Sequence, residues 1–170
     1  SSIAQDGETT RGSGATVWAD YNFGNGWRSQ WMAMHFGADL QINDFGYLSR
    51  PNLNYAHWQL TRRYTDLPAS SAYASHEWRW RIGATDNDQG LPLQRQFRAM
   101  LQNTLRDGAL TLNFDAFYYN YENYQISQIV DRTSINDNFD AHVKGAEIES
   151  TWEPVPGLRL NLAGGCEDTA

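Results

Sequence analysis

The stretch FRAMLQNTLRDGALTLNFDAFY, residues 97–118, decides the fold. At its centre, Asp107 and Gly108 form a dipeptide that strongly favours a two-residue turn between antiparallel strands. The predicted pairs across that turn are Leu105 with Leu110, Leu101 with Phe114, Ala99 with Ala116 and Phe97 with Tyr118 on one face, and Thr104 with Thr111 and Gln102 with Asn113 on the other. A slip of one residue would place every apolar side chain opposite a polar one, so this register is strongly specified.

A second hairpin is predicted around the turn Glu153–Gly157, which contains two prolines and a glycine. Its predicted apolar pairs are Trp152 with Leu158, Ser150 with Leu160 and Ile148 with Leu162. On the other face Thr151 meets Arg159, and Glu149 lies diagonal to Arg159 within reach of a charge pair. Both hairpins therefore predict a sheet with one apolar face and one polar, charged face.

The same period of two recurs along the chain, and no helical periodicity is sustained over three turns. Strands are predicted near residues 15–23, 27–40, 54–64, 74–82, 95–106, 109–124, 140–152 and 158–166. Short turns alternate with longer polar connections at about 41–53, 83–94 and 125–139, a pattern typical of an outer-membrane barrel. We therefore predict an all-β fold, an antiparallel up-and-down meander of about eight strands that is part of a transmembrane β-barrel. Residues 1–14 are predicted to form a loop.

In such a barrel, successive side chains of a strand face the lipid and the lumen in turn. A lumen-facing polar ladder is predicted from Glu147, Glu149, Thr151, Arg159 and Asn161. Aromatic residues crowd the ends of the strands, where membrane interfaces favour them. The predicted interfacial aromatics are Tyr118, Tyr119, Tyr121, Tyr124 and Trp152.

Composition and motifs exclude several classes of protein. The net charge of −7 argues against a nucleic-acid partner, which would require a clustered basic face. No run of about 18 apolar residues is present, so no transmembrane helix is predicted. The four histidines lack the spacing of metal ligands, and neither a nucleophile motif nor a phosphate loop occurs. We expect no enzymatic activity, no catalytic residue, no metal site and no cofactor.

The C-terminal third resembles the barrel strands of TonB-dependent receptors. In that family a Gly-x-Glu strand leads through a short Pro/Gly turn into a strand of alternating leucines, as in residues 143–149 and 152–162 here. Residues 117–126 look like the strand that rises to the preceding loop. Residues 43–50 look like a segment of the receptors that carry an N-terminal carboxypeptidase-regulatory-like domain.

The resemblance implies a receptor in the outer membrane of a Gram-negative bacterium, which takes up a nutrient with energy from an inner-membrane coupling protein. Its ligand would be a small molecule or an oligosaccharide. Barrels of this class have about 22 strands and a plugged lumen. Residues 1–170 contain neither a plug-like segment nor an energy-coupling box, so we expect them to form part of the barrel. The coupling protein would then act through a region outside this chain.

Two other interpretations remain open at this stage. A soluble carbohydrate-binding β-sandwich could use exposed tryptophans such as Trp78 and Trp80 to stack on sugars, but it requires Greek-key connections. A complete eight-stranded outer-membrane barrel would close by pairing the strand near 15–23 with the strand near 158–166.

Overall fold

The computed structural model describes residues 2–5, 8–40, 52–105, 108–130 and 133–170, with side chains placed in 11–40, 52–105, 108–123 and 138–170. Ten strands are present: β1 Ser2–Gln5, β2 Glu8–Arg11, β3 Gly14–Gly24, β4 Trp27–Phe36, β5 Leu53–Tyr64, β6 Tyr73–Asp86, β7 Pro92–Leu105, β8 Leu110–Val130, β9 Thr133–Val155 and β10 Leu158–Thr169. β1 and β2 pair as a small antiparallel hairpin, where the sequence predicted a loop over residues 1–14.

Strands β3 to β10 form one antiparallel sheet in which each strand pairs with its neighbours in sequence. The predicted all-β meander of eight strands is therefore confirmed. The sheet is open, because no pairing joins β3 to β10 within the described residues. It is also a single layer, and the only buried hydrophobic residues in the described part are Leu40 and Leu93. No helix there is long and apolar enough to cross a membrane.

The register predicted for the first hairpin is confirmed in the residues that the structure describes. The observed pairs include Leu101 with Phe114, Ala99 with Ala116, Phe97 with Tyr118, Gln102 with Asn113 and Thr104 with Thr111. Asp107 itself lies outside the described residues. The register follows from the apolar pattern on both sides of the turn, because only this alignment keeps one face apolar.

The register predicted for the second hairpin was wrong by two residues. The turn consists of Pro156 and Gly157 alone, and Trp152 pairs with Leu160, not with Leu158. Gly157 has a φ of 85°, the left-handed conformation that a turn after proline favours. Pro154 does not end β9, because it lies at the register shift between Leu158 and Leu160, where the ladder to β10 is interrupted and no N–H is needed. A shift of two residues keeps the same side chains on the same face.

Two of the three predicted long connections are mostly strand. β6 and β7 are joined by residues 87–91 only, and residues 125–130 and 133–139 belong to β8 and β9. These segments are polar at consecutive positions, so they lack the alternation that signals a half-buried strand. Most of the third predicted connection, at 41–53, lies outside the described residues.

Candidate functional site

Cross-strand register divides the sheet into an apolar face and a polar face. The apolar face carries exposed residues from seven of its strands, all 44–71% exposed: Val17, Trp31, Ile82, Phe97, Phe114, Ile148 and Leu162. It also carries Trp78, which lies opposite Leu101, and Trp80, which lies opposite Leu60. The two indole rings are stacked, with centroids 5.9 Å apart and planes at 5°. The segments predicted to share one apolar face therefore do so.

A row of directly paired residues crosses the polar face from β3 to β7: Asp20, Gln30, Gln59, Arg81 and Arg98. Gln59 Nε2 donates to Gln30 Oε1 at 2.7 Å, and Gln30 Nε2 donates to Asp20 Oδ2 at 3.3 Å. Arg28 also forms an ion pair with Asp20 at this edge. A chain of side-chain amides thus extends from Asp20 on β3 across β4 to β5.

The row continues to β8 through an ion pair. Arg98 Nε donates to Asp115 Oδ2 at 2.6 Å. Asp115 is only 7% exposed and lies directly opposite Glu147 on β9. Because Asp115 and Glu147 bring two carboxylates together, the Arg98 guanidinium stabilises the more buried of them.

Four residues of the predicted polar ladder, Glu147, Glu149, Thr151 and Asn161, lie on this polar face. Glu147 and Glu149 lie opposite Asp115 and Asn113. Thr151 pairs with Asn161, and Thr151 Oγ1 lies 3.0 Å from Asn161 Oδ1. The pairing of Thr151 with Arg159 was wrong, because the turn is shorter than predicted and Arg159 falls at the register shift between Leu158 and Leu160.

The predicted interfacial aromatics are distributed over both faces of the sheet. Tyr118 and Trp152 lie on the apolar face, whereas Tyr119 and Tyr121 lie on the polar face, because neighbouring residues of a strand alternate. Tyr119 and Tyr121 contact each other with ring centroids 6.2 Å apart. The side chain of Tyr124 lies outside the described residues.

Arg62 is a charged residue on the apolar face, beside the short turn between β3 and β4. It lies opposite Trp27 and Trp78 in the register. Its guanidinium carbon is 5.1 Å from the Trp27 ring centre and 4.4 Å from that of Tyr64. The two aromatic faces stabilise the cation by cation–π interaction. The alternation of the sequence could have located this residue, since Arg62 shares its parity with Trp58 and Leu60.

At the opposite edge, polar side chains tie the 87–91 connection to β5. Asn52 Oδ1 accepts a hydrogen bond from the Asp88 backbone N at 2.8 Å, and Asn54 Nδ2 donates to Asp88 Oδ1 at 3.0 Å. His35 Nδ1 lies 2.7 Å from Asn54 Oδ1. No group of three or more metal-ligand side chains occurs among the described residues. This cluster orders a connection between strands.

A group of arginines on β6 and β7 was not predicted from the sequence. Arg79 and Arg81 lie on the polar face, with Arg81 directly opposite Arg98. They were overlooked because their proximity depends on the register of β6 against β7. The shared parity of Arg79, Arg81 and Arg98 within their alternating strands was the available signal.

Comparisons of the chain with protein-family models, with curated proteins and with solved structures give no match.

Proposed function

We propose that the chain forms part of the wall of an outer-membrane transport barrel, with its apolar face against lipid and its polar face towards the lumen. The barrel would be a TonB-dependent receptor that takes up a nutrient with energy from the inner membrane. One observation carries the proposal: large apolar side chains are exposed across one face, while the carboxylate of Asp115 is buried on the other.

This distribution is the reverse of a soluble fold. Soluble monomers rarely expose contiguous apolar patches of more than a few hundred Å². Here Ile82 lies directly opposite Phe97 on β6 and β7, and Phe114 lies directly opposite Ile148 on β8 and β9. Each of the four residues is nearly half exposed. A hydrocarbon environment would cover such a face and stabilise it.

Strand length also supports the proposal. A transmembrane strand requires about 9–11 residues when it is tilted by about 45°. β4, β5, β6 and β7 contain 10, 12, 14 and 14 residues. Each is therefore long enough to cross the hydrocarbon core.

The surroundings of Arg62 fit a membrane interface. Arginine and aromatic residues are favoured where hydrocarbon meets the lipid headgroups. Trp27 and Tyr64 hold the Arg62 guanidinium beside a short turn, within reach of a headgroup phosphate at that edge. We infer that this edge marks one membrane interface.

The open edges require neighbours. An unpaired strand edge within hydrocarbon leaves backbone groups without hydrogen bonds, at several kcal/mol each. β3 and β10 are such edges within the described residues. Further strands of a larger barrel would pair with them, and the coupling protein would act through a region outside this chain.

Tryptophan quenching tests the orientation of the faces. Trp31 lies on the apolar face, and Phe117 lies on the polar face at the middle of β8. One single-tryptophan variant would keep Trp31 and the other would carry Phe117→Trp, with the remaining tryptophans replaced by phenylalanine. In vesicles of phosphatidylcholine brominated along the acyl chain, the bromolipid should quench Trp31 strongly and the polar-face tryptophan weakly.

In the same vesicles, aqueous iodide should quench the polar-face tryptophan strongly and Trp31 weakly. Strong iodide quenching of Trp31 without quenching by bromolipid would reject the lipid-facing assignment. A monodisperse chain in water without detergent would favour a soluble binding protein instead.

A further inference from the structure

Two arginines lie directly opposite each other on the polar face. Arg81 on β6 pairs in register with Arg98 on β7, and Arg79 lies two residues from Arg81 on the same face. Like charges at opposite positions of a sheet destabilise it. Such an arrangement requires negative charge nearby.

Two of the three guanidinium groups each form an ion pair with a carboxylate. Arg79 Nη2 donates to Glu77 Oε1 at 2.5 Å, and Arg98 pairs with Asp115. Among the described residues, no carboxylate lies within 4.0 Å of Arg81. Arg81 is therefore the guanidinium of the three that lacks a paired carboxylate among the described residues.

Neutral groups hold Arg81 in place. Its Nη2 donates to the Tyr55 hydroxyl at 3.1 Å and lies 3.1 Å from His57 Nδ1. The Tyr55 hydroxyl also accepts a hydrogen bond from Gln96 Nε2 at 3.1 Å. These contacts fix the guanidinium on the surface of the sheet without neutralising its charge.

A cavity adjoins this group of arginines. A space of about 180 Å³ is lined by Gln59, Arg79, Arg81, Arg98 and Met100. The buried Nε atoms of Arg79 and Arg81 have no hydrogen-bond partner within the described residues. Buried donors of this kind normally have a partner, such as an ordered water or a bound group.

We propose that this cavity, here called the arginine pocket, binds an oxyanion group of the solute, a carboxylate or a phosphate. A planar guanidinium matches both groups with two parallel N–H donors, and such charge-assisted bonds are strong. The inference rests on the proposed function in placing the pocket on the lumenal face. It adds that the transported solute is anionic.

Arginine-detected NMR tests the pocket. The 170-residue chain, folded in detergent micelles and labelled with ¹⁵N at arginine, would be titrated with sodium phosphate and, separately, with sodium citrate. Sodium chloride at equal ionic strength is the reference. The Nε–H resonances of Arg79 and Arg81 should shift saturably with phosphate or citrate and not with chloride. The anion that binds more tightly shows whether the pocket prefers a phosphate or a carboxylate.

Substitutions locate the binding. Arg81→Gln should weaken binding at least tenfold, and Arg81→Lys, which keeps the charge but not the paired donors, should weaken it several-fold. Arg28→Gln is the matched control, because Arg28 lies on the same face at the β3 edge and should leave binding unchanged. If Arg81→Gln does not fold, Tyr55→Phe removes one group that holds Arg81 and should weaken binding several-fold.

A folded wild-type chain whose arginine resonances respond equally to phosphate, citrate and chloride would overturn the proposal. Wild-type affinity in Arg81→Gln, or in Tyr55→Phe if only that variant folds, would do the same. Micelles cover the apolar face whether or not it meets lipid in the cell. Failure of the bromolipid test together with saturable phosphate binding would therefore reject the membrane assignment and leave the pocket in place.

Discussion

Phe114 on β8 lies directly opposite Ile148 on β9, and the two side chains are 46% and 45% exposed. Asp115, the next residue after Phe114, is 7% exposed. A single step along one strand thus leads from an exposed aromatic ring to a buried carboxylate. The sheet therefore has an exposed apolar face and a polar face that holds a buried carboxylate.

Phe114→Arg should destabilise the protein in a lipid bilayer. An arginine on the lipid face at the bilayer midplane costs about 2–4 kcal/mol. The measurement is the free energy of unfolding from a denaturant titration in vesicles. Asn113→Arg is the matched control, because Asn113 lies on the polar face and should lose much less stability. Equal losses in both variants would contradict the assignment of the faces.

Asp115→Asn should destabilise the sheet by about 1–3 kcal/mol, because it leaves Arg98 without its charged partner on a partly buried face. Asp20→Asn should have little effect, since exposed ion pairs contribute little. Urea titrations of both variants in the same detergent would compare them. A larger loss in Asp20→Asn would show that the polar face is not organised around Asp115.

The connection 87–91 should be accessible from outside the cell. It lies at the same edge of the sheet as Asn52, to which it is hydrogen-bonded. After Cys166→Ser removes the native thiol, Gln89→Cys should react with a membrane-impermeant maleimide in intact cells. Pro156→Cys, at the opposite edge, should react only after permeabilisation. The reverse result would invert the topology.

The isolated chain should associate in water. All 11 residues of β3 and all 12 of β10 are exposed, and neither strand has a second neighbour within the described residues. Unprotected strand edges promote association, and charged residues on them oppose it. Val17→Lys combined with Leu162→Lys should reduce the sedimentation coefficient in low detergent. Thr111→Lys combined with Asn113→Lys, in the middle of the sheet, should leave the sedimentation coefficient unchanged.

The alternation of the sequence predicted most of the fold correctly. The strand faces followed from it, and the register of Phe97 with Tyr118 followed from the Asp107-Gly108 turn. The register near Trp152 was wrong because Pro154 was assigned to a turn, whereas it belongs to β9 at the register shift against β10. A proline is compatible with a strand where no neighbouring strand needs its missing N–H.

The candidate site was only partly predictable. Glu147, Glu149 and Thr151 were placed on the polar face, because their alternation with Ile148 and Ser150 is local. The arginine pocket depends on how β6 aligns with β5 and β7. That alignment is determined by pairing between strands and cannot be derived from the pattern within one strand.

The long β8–β9 hairpin extends past the rest of the sheet. β8 pairs with β7 only as far as Tyr121, and beyond a register shift it pairs with β9 alone, from Tyr124 to Val130. Inserting one residue into each arm would lengthen this ribbon by about 3.4 Å and would leave the register of every other strand unchanged. The ribbon can thus change in length during evolution while the sheet stays the same. The distance that the ribbon extends beyond the sheet can therefore vary without a change in the stability of the sheet.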